Sequence, residues 1–240
     1  MQAIIMAGGK GTRLRPYTNI LPKPLLPLGL RSILDINIRQ LASSGIDNII
    51  IAVGYLGELI ENIIGNGEKY GITIRYSYEE MPLGTVGALS LIRDKLEDNF
   101  IVMNGDILHN VDFKALLLQH NTNCASVSIT SYKLLHKVRL GVLETEGDSI
   151  VNYIEKPTQE YNVSMGIYLI SKSIAAHYVR NNEPLDFPDL INQLIEDKKP
   201  ISSFQHEGLW IDLGTPEEYM NIIDRLNDIQ KEYPEIPIAL

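Results

Sequence analysis

Three short, continuous apolar runs, QAIIMA (2–7), NIIIAVG (48–54) and NFIVMNGD (99–106), recur between segments with helical spacing. This alternation constrains the fold more than any other feature. Strands that are apolar on both faces need helices on both sides of the sheet, as in parallel βαβ units. SILDINIRQLASSG, GELIENIIG and TVGALSLIRDKL read as the intervening helices and ITIRYSY as a further strand. The reading is an α/β fold: a Rossmann-like open sheet, mixed but mainly parallel, flanked by helices in a single domain spanning 1–240. Ligands of such sheets collect beyond the carboxyl ends of the strands, so AGGKG after the first strand and NGD after FIVM are expected to open into one crevice.

From Cys124 the pattern changes. CASVSITSY, LGVLET, SIVNYIEK and VSMGIYLIS alternate as antiparallel or mixed strands do, and two helices, FPDLINQLIED and PEEYMNIIDRLNDIQ, flank GLWIDLGT. No linker or repeat separates the halves, so the second half is expected to extend the first sheet and form a lid. Only the tail after Pro234 reads as loosely attached.

With 240 residues and 45% hydrophobic composition the chain can bury a substantial core. No run approaches the ~18 apolar residues of a membrane span. Lys10, Arg13 and Arg15 stand where a signal peptide would be apolar, so a soluble, cytoplasmic protein is expected. The single cysteine, Cys124, excludes an internal disulfide and a cysteine-cluster metal site.

The net charge of −9 argues against a nucleic-acid surface, which would need clustered cations to release phosphate counterions. Yet residues 1–34 carry Lys10, Arg13, Arg15, Lys23 and Arg31 and no acid, giving +5 there and −14 elsewhere. A basic pocket for a small polyanion fits this distribution. Gly8, Gly9 and Gly11, directly after the first strand, remove side chains where backbone N–H groups could meet an anion. A dinucleotide fingerprint would need glycine where Leu14 stands, and a P-loop would need G-K-S/T after four spacers; neither is present.

What remains is G-G-x-G-T-R-L-x-P followed by P-K-P-L. The segment AGGKGTRLRPYTNILPKPL, followed in order by EEMPLGTVGAL, VMNGD, EKP, MGIY and WIDLGTPEEY, resembles the sugar-1-phosphate nucleotidyltransferases, or nucleotide-sugar pyrophosphorylases. The pattern is closest to the short mannose-1-phosphate and heptose-1-phosphate guanylyltransferase-like members. The resemblance covers nearly the whole chain. It implies the nucleotide-diphospho-sugar transferase fold, with 1–123 as the nucleotide-binding half and 124–240 as the sugar-phosphate half. It also implies two substrates, a nucleoside triphosphate and a sugar 1-phosphate, and Mg²⁺ as cofactor.

In the family reaction the sugar phosphate attacks the α-phosphorus and expels pyrophosphate. A phosphate monoester loses its second proton near pH ~6, so the nucleophile is ionised without a general base. His109, His120, His136, His177 and His206 show no catalytic pairing. The difficulty is electrostatic, because two polyanions must be aligned and the leaving group stabilised. By resemblance Arg13 and Lys23 are the catalytic cations, Arg13 on the β- and γ-phosphates and Lys23 as a point charge, with Lys10 and Arg15 in reserve. Ala7, Gly8, Gly9, Gly11 and Thr12 would line the triphosphate. Asp106, after the strand NFIVMNG, and Asp212, after LWI, would hold Mg²⁺, which commonly takes one or two carboxylates plus phosphates and water.

Glu79, Glu80, Pro82, Gly84 and Thr85 stand where the family receives the base. Guanine offers donors at N1 and its exocyclic amine, which suit a carboxylate, so GTP is favoured. UTP, dTTP or CTP remain alternatives, as does a non-catalytic relative that binds nucleotide sugars to regulate a partner. The joint presence of Arg13, Lys23, Asp106, Lys156 and Asp212 weighs against the last. Gly141, Glu155, Lys156, Met165 and Gly166 match the sugar-phosphate site. Many relatives carry asparagine at the position of Met165, which removes a hydroxyl contact. Trp210 could stack on the sugar, although a core role is the better default. A homodimer formed through the second-half strands stays open.

Overall fold

The computed structural model describes residues 1–238. Along the chain β1 (Gln2–Ala7) is followed by three 3-10 turns (Thr12–Leu14, Tyr17–Asn19, Lys23–Leu25), by β2 (Pro27–Leu28) and β3 (Arg31–Ser32), and by α1 (Ile33–Ser43). Then come β4 (Asn48–Val53), α2 (Gly57–Ile64), β5 (Thr73–Tyr78), the single turn α3 (Gly84–Gly87), β6 (Asn99–Asn104), β7 (Ile107–His109) and α4 (Phe113–Thr122). The second half holds β8 (Val127–Lys137), β9 (Val142–Glu146), β10 (Ser149–Ile154) and β11 (Thr158–Ser171). It ends with α5 (Lys172–Tyr178), α6 (Phe187–Glu196), β12 (Ile201–His206), β13 (Trp210–Asp212) and α7 (Pro216–Glu232).

Seven strands form one sheet in the order β12-β8-β11-β6-β1-β4-β5. β1 lies parallel to β4 and β6, β5 is parallel to β4, and β12 is parallel to β8. Only β11 runs antiparallel to its neighbours, which makes the sheet mixed but mainly parallel and carries it through both halves of the chain.

Alternation within the apolar runs divides the core in two. Ile5, Ile51 and Met103 face one side, against Leu34 and Leu41 of α1, Ile60 of α2 and Phe113 of α4. Ile4, Ile50 and Val102 face the other, against Ile174 of α5 and Phe187 and Leu190 of α6. Both faces are covered, which is why these strands carry no polar register. α1 starts where Ser32 Oγ accepts the N–H of Asp35 at 3.2 Å, a side-chain N-cap.

A third apolar cluster lies off the sheet and anchors the basic loop. Leu14, fully buried between exposed Arg13 and Arg15, packs with Leu26, Leu28 and Ile36 against Tyr219, Ile222 and Leu226 of α7. Burying one leucine stabilises by roughly 1.5–3 kcal/mol. Two expectations are corrected here. The tail after Pro234 is packed, with Ile236 and Ile238 buried in this cluster, and only residues 239–240 lie outside the described residues. The segment TVGALSLIRDKL is one α-turn continued by a 3-10 stretch, Ala88–Lys95, and the amides of Val86 and Gly87 donate to Leu185 O at 2.9 and 3.0 Å.

The second half projects an antiparallel arm beyond the sheet. β9 and β10 pair only with each other, every residue of β10 is exposed, and the outer ends of β8 and β11 pair alongside. Among the described residues no helix is long and apolar enough to cross a membrane.

Candidate active site

At the carboxyl end of β1 the chain opens into a cavity of about 430 Å³, within the range of small-molecule sites. Its floor is the glycine loop, with Ala7, Gly8, Gly9, Gly11 and Thr12 all contributing. Gly11 has φ +58°, and its carbonyl accepts the Thr18 hydroxyl at 2.8 Å, so the loop folds back on the turn preceding Lys23. Gly105 lets the end of β6 approach equally closely, its N–H donating to Met6 O at 3.0 Å. β1 and β6 therefore deliver loop and acid to one crevice, as expected of parallel neighbours.

Lys23 is the centre of charge. Its stem is buried, and Nζ lies 2.5 Å from Asp106 Oδ2 and 3.9 Å from Asp212 Oδ1. The acids come from distant parts of the chain, joined by a small ribbon in which β13 pairs with β7 and Asp212 stands opposite Ile107. Burial pushes the carboxyl of Asp212 above its ordinary range; Lys23 opposes this, and repulsion from Asp106 and Glu218 adds to it. Glu218 belongs to a capping box that starts α7: its Oε2 accepts from Thr215 N at 2.8 Å while its own N–H donates to Thr215 Oγ1 at 3.2 Å. This cap holds Gly214 at the cavity wall, where Arg13 also lies. Lys10 and Arg15 are exposed and do not line it.

On the other wall stand Glu79, Pro82, Gly84 and Thr85. Glu79 is half-buried and its Oε2 accepts the N–H of Leu83 at 3.0 Å. Burial raises its carboxyl, only partly offset by that N–H. Glu80, by contrast, is exposed and outside the cavity wall, so the pair expected from sequence is divided.

The residues matched to the sugar phosphate do not line this cavity. Gly141 is on the arm against Tyr153, and Glu155 and Lys156 follow β10. The latter two are exposed, 3.3 Å apart, and Glu155 also accepts the Tyr153 hydroxyl at 2.8 Å. Lys156 has φ +46°, a left-handed backbone that is rare for lysine. Met165 is corrected more strongly. A bulge in β11, with Gly166 at φ +74°, turns the methionine into the core at 1% exposure, so its side chain is a packing group. Trp210 donates its indole N–H to Met165 O at 3.2 Å and lies beside Tyr132, which gives it the structural role.

Sequence reasoning missed Asn104, whose amide fills the space over Gly166 and which lines the cavity at the end of β6. Its place in VMNGD was the available signal. It also missed Asp186, which accepts from Thr85 across the wall. No histidine lines the cavity, and His109, His120 and His206 are buried elsewhere.

Comparisons with known proteins show what the chain is similar to. Residues 2–229 match the nucleotidyl transferase family model. A mannose-1-phosphate guanyltransferase of Candida albicans is 32% identical over 98% of this chain, and the zebrafish mannose-1-phosphate guanylyltransferase catalytic subunit beta is 31% identical over the same share. The chain spans about two thirds (67%) of the length of each of these relatives. Among solved structures, HddC from Yersinia pseudotuberculosis superposes with a TM-score of 0.72 at 26% identity, covering 93% of this chain and 98% of that one. Since that family model spans residues 2–229 of the 240, the chain belongs to the nucleotidyl transferase family.

Proposed function

We propose that this protein transfers a nucleoside monophosphate from GTP to a sugar 1-phosphate and releases pyrophosphate. The observation that carries the reading is the meeting of Lys23 with Asp106 and Asp212 beside a glycine loop, in a chain whose relatives are named mannose-1-phosphate guanyltransferases. In the reaction an oxygen of the acceptor phosphate bonds to the α-phosphorus as the bond to the bridging β-phosphate oxygen breaks, and the electron pair leaves with pyrophosphate. The acceptor is already ionised at neutral pH, so no general base is required.

The chain's own groups then perform positioning and charge balance. Backbone at Gly8, Gly9 and Gly11 gives the triphosphate close approach, Arg13 stands where the β- and γ-phosphates would lie, and Lys23 supplies a fixed positive charge in a partly dehydrated setting. Asp106 and Asp212 fit Mg²⁺, since two carboxylates from separate elements already share one cation, Lys23. Mg²⁺ commonly takes one or two carboxylates and completes its shell with substrate phosphate and water. When bound, that ion neutralises phosphate charge.

Glu79 is the acid within reach of the base, and a carboxylate there favours the paired donors of guanine. The acceptor is assigned to the arm side, where Glu155 and Lys156 present exposed polar groups and Gly141 and the bulge at Gly166 lie nearby; the left-handed Lys156 supports this, as strained residues gather at functional sites. Nucleotide and acceptor thus divide between 1–123 and 124–240. The homodimer reading rests on the arm, whose Leu135, Leu143, Ile150 and Tyr153 are exposed. A cytoplasmic setting fits the single free cysteine, Cys124.

The test is pyrophosphate release with GTP, UTP, dTTP and CTP, each against a panel of sugar 1-phosphates. GTP with a hexose 1-phosphate should give the fastest release. Tight nucleotide-sugar binding without pyrophosphate from any pair would select the regulatory reading instead.

A further inference from the structure

Asp186 occupies the N-cap of α6, where a carboxylate ordinarily accepts an N–H of its own helix, yet it makes no such bond. Its Oδ1 accepts instead from Thr85 N at 2.8 Å and from Thr85 Oγ1 at 3.1 Å. Thr85 Oγ1 in turn accepts the N–H of Phe187, the first residue of α6, at 3.0 Å. The two elements cap each other. Neighbouring backbone completes the strap, because Leu185 O accepts from Val86 N and Gly87 N while Leu185 N donates to Leu83 O at 2.9 Å.

Of the turn's four amides, those of residues 85–87 are therefore consumed by 185–186. Those three N–H groups are not offered to a phosphate, as the opening amides of a helix otherwise can be. The fit is close as well: a Cβ on Gly84 would sit 2.7 Å from Leu185 O. The hydroxyl proton of Thr85 points at Asp186, so Thr85 contributes its position and not a donated hydrogen bond to a ligand.

We infer that Asp186, from the second half of the chain, is a positioning residue for nucleotide: by capping Thr85 it fixes the Gly84–Gly87 turn in the shape that receives a base. The inference rests on the reading that this cavity holds a nucleoside triphosphate. It extends that reading to a residue outside the cavity wall.

Binding of GTP and UTP is measured by calorimetry without acceptor, alongside steady-state KM and kcat, for Asp186→Ala, Asp186→Asn and Thr85→Val. Asp186→Ala should weaken binding of the preferred triphosphate about tenfold, the equivalent of ~1.4 kcal/mol, with the KM for sugar 1-phosphate unchanged. Asparagine keeps an Oδ1 that can accept both bonds, so Asp186→Asn should restore most of the affinity. Thr85→Val should weaken binding by itself and add nothing in the Asp186→Ala background, since the two residues act through each other. A folded Asp186→Ala that binds triphosphate like the wild type, or a loss shared equally by both substrates, overturns the inference. Should Asp186→Ala fail to fold, Thr85→Val decides by the same readout. A wild-type protein that binds no triphosphate refutes the functional reading itself, before any variant is compared.

Discussion

Gly9 and Gly11 lie two residues apart on the same loop, and the structure assigns them different reasons for being glycine. Gly11 has φ +58°, where an L-residue costs roughly 1–2 kcal/mol. A Cβ there would also meet Thr18 Cγ2 at 2.9 Å and Lys23 Cβ at 3.2 Å. Thr18 is buried and its hydroxyl bonds the Gly11 carbonyl, so moving it forfeits about 1 kcal/mol more. Gly11→Ala should therefore destabilise by about 2–3 kcal/mol, a fall of about 5–10 °C in Tm for a chain of this size. Gly9 has no such constraint: a Cβ would meet nothing within 4 Å, in open space on the cavity wall. Gly9→Ala should leave Tm unchanged or slightly raised, by about 0.5 kcal/mol through the unfolded chain, while its methyl blocks phosphate and weakens triphosphate binding at least about tenfold. Differential scanning calorimetry and nucleotide titration read the two effects separately. A Gly9→Ala protein that melts like Gly11→Ala, or that binds triphosphate like the wild type, would refute the assignment of this loop to phosphate.

Asp106→Asn should fold with a near wild-type Tm and lose pyrophosphate release by at least about a hundredfold, since that carboxylate pairs with Lys23 and is the ligand proposed for Mg²⁺; full turnover would remove the metal assignment. Glu79→Gln should shift the ranking of nucleotides away from GTP, while exposed Glu80→Gln leaves it unchanged, as competition among the four triphosphates would reveal. Stability should fall in acid because of His109, fully buried with Nδ1 accepting from Val111 N and its pKa pushed down to about 3 by burial and by nearby His206. The folded protein keeps this ring neutral while the unfolded chain takes up a proton below pH ~6.5, so stability present above ~6.5 is lost on the way to ~3, about 2 kcal/mol of it by pH 5. Denaturant titration from pH 7 to 5 measures this, and a flat profile would contradict the buried neutral ring.

Sequence reasoning succeeded where a repeating period or a fixed spacing carried the information. QAIIMA, NIIIAVG and NFIVMNGD became β1, β4 and β6 side by side, because continuous apolar runs have few other places to go. Asp106 and Asp212, each at the end of an apolar run, lie 2.5 and 3.9 Å from Lys23 Nζ. It failed where one residue of register decided the outcome. Glu79 and Glu80 follow the last residue of β5, where strand alternation ends, and the side facing the cavity is chosen by the N–H of Leu83. Met165 reads as a site residue until the bulge at Gly166 rotates it into the core. The short tail looked loose because its two isoleucines show no period, yet α7 offers them a buried seat. Asp186 could not be found locally, since its partner lies a hundred residues earlier in the chain.

In the proposed reading, cations and acids from separate elements form one cleft for a triphosphate. Diffraction from crystals grown with a non-hydrolysable GTP analogue and Mn²⁺ tests it most directly. The triphosphate should lie along residues 8–13 within reach of Lys23, the base should rest against the Pro82–Thr85 turn and Glu79, and the anomalous peak of the ion should fall between Asp106 and Asp212. Nucleotide bound on any other surface, or an ion held by neither aspartate, would contradict it.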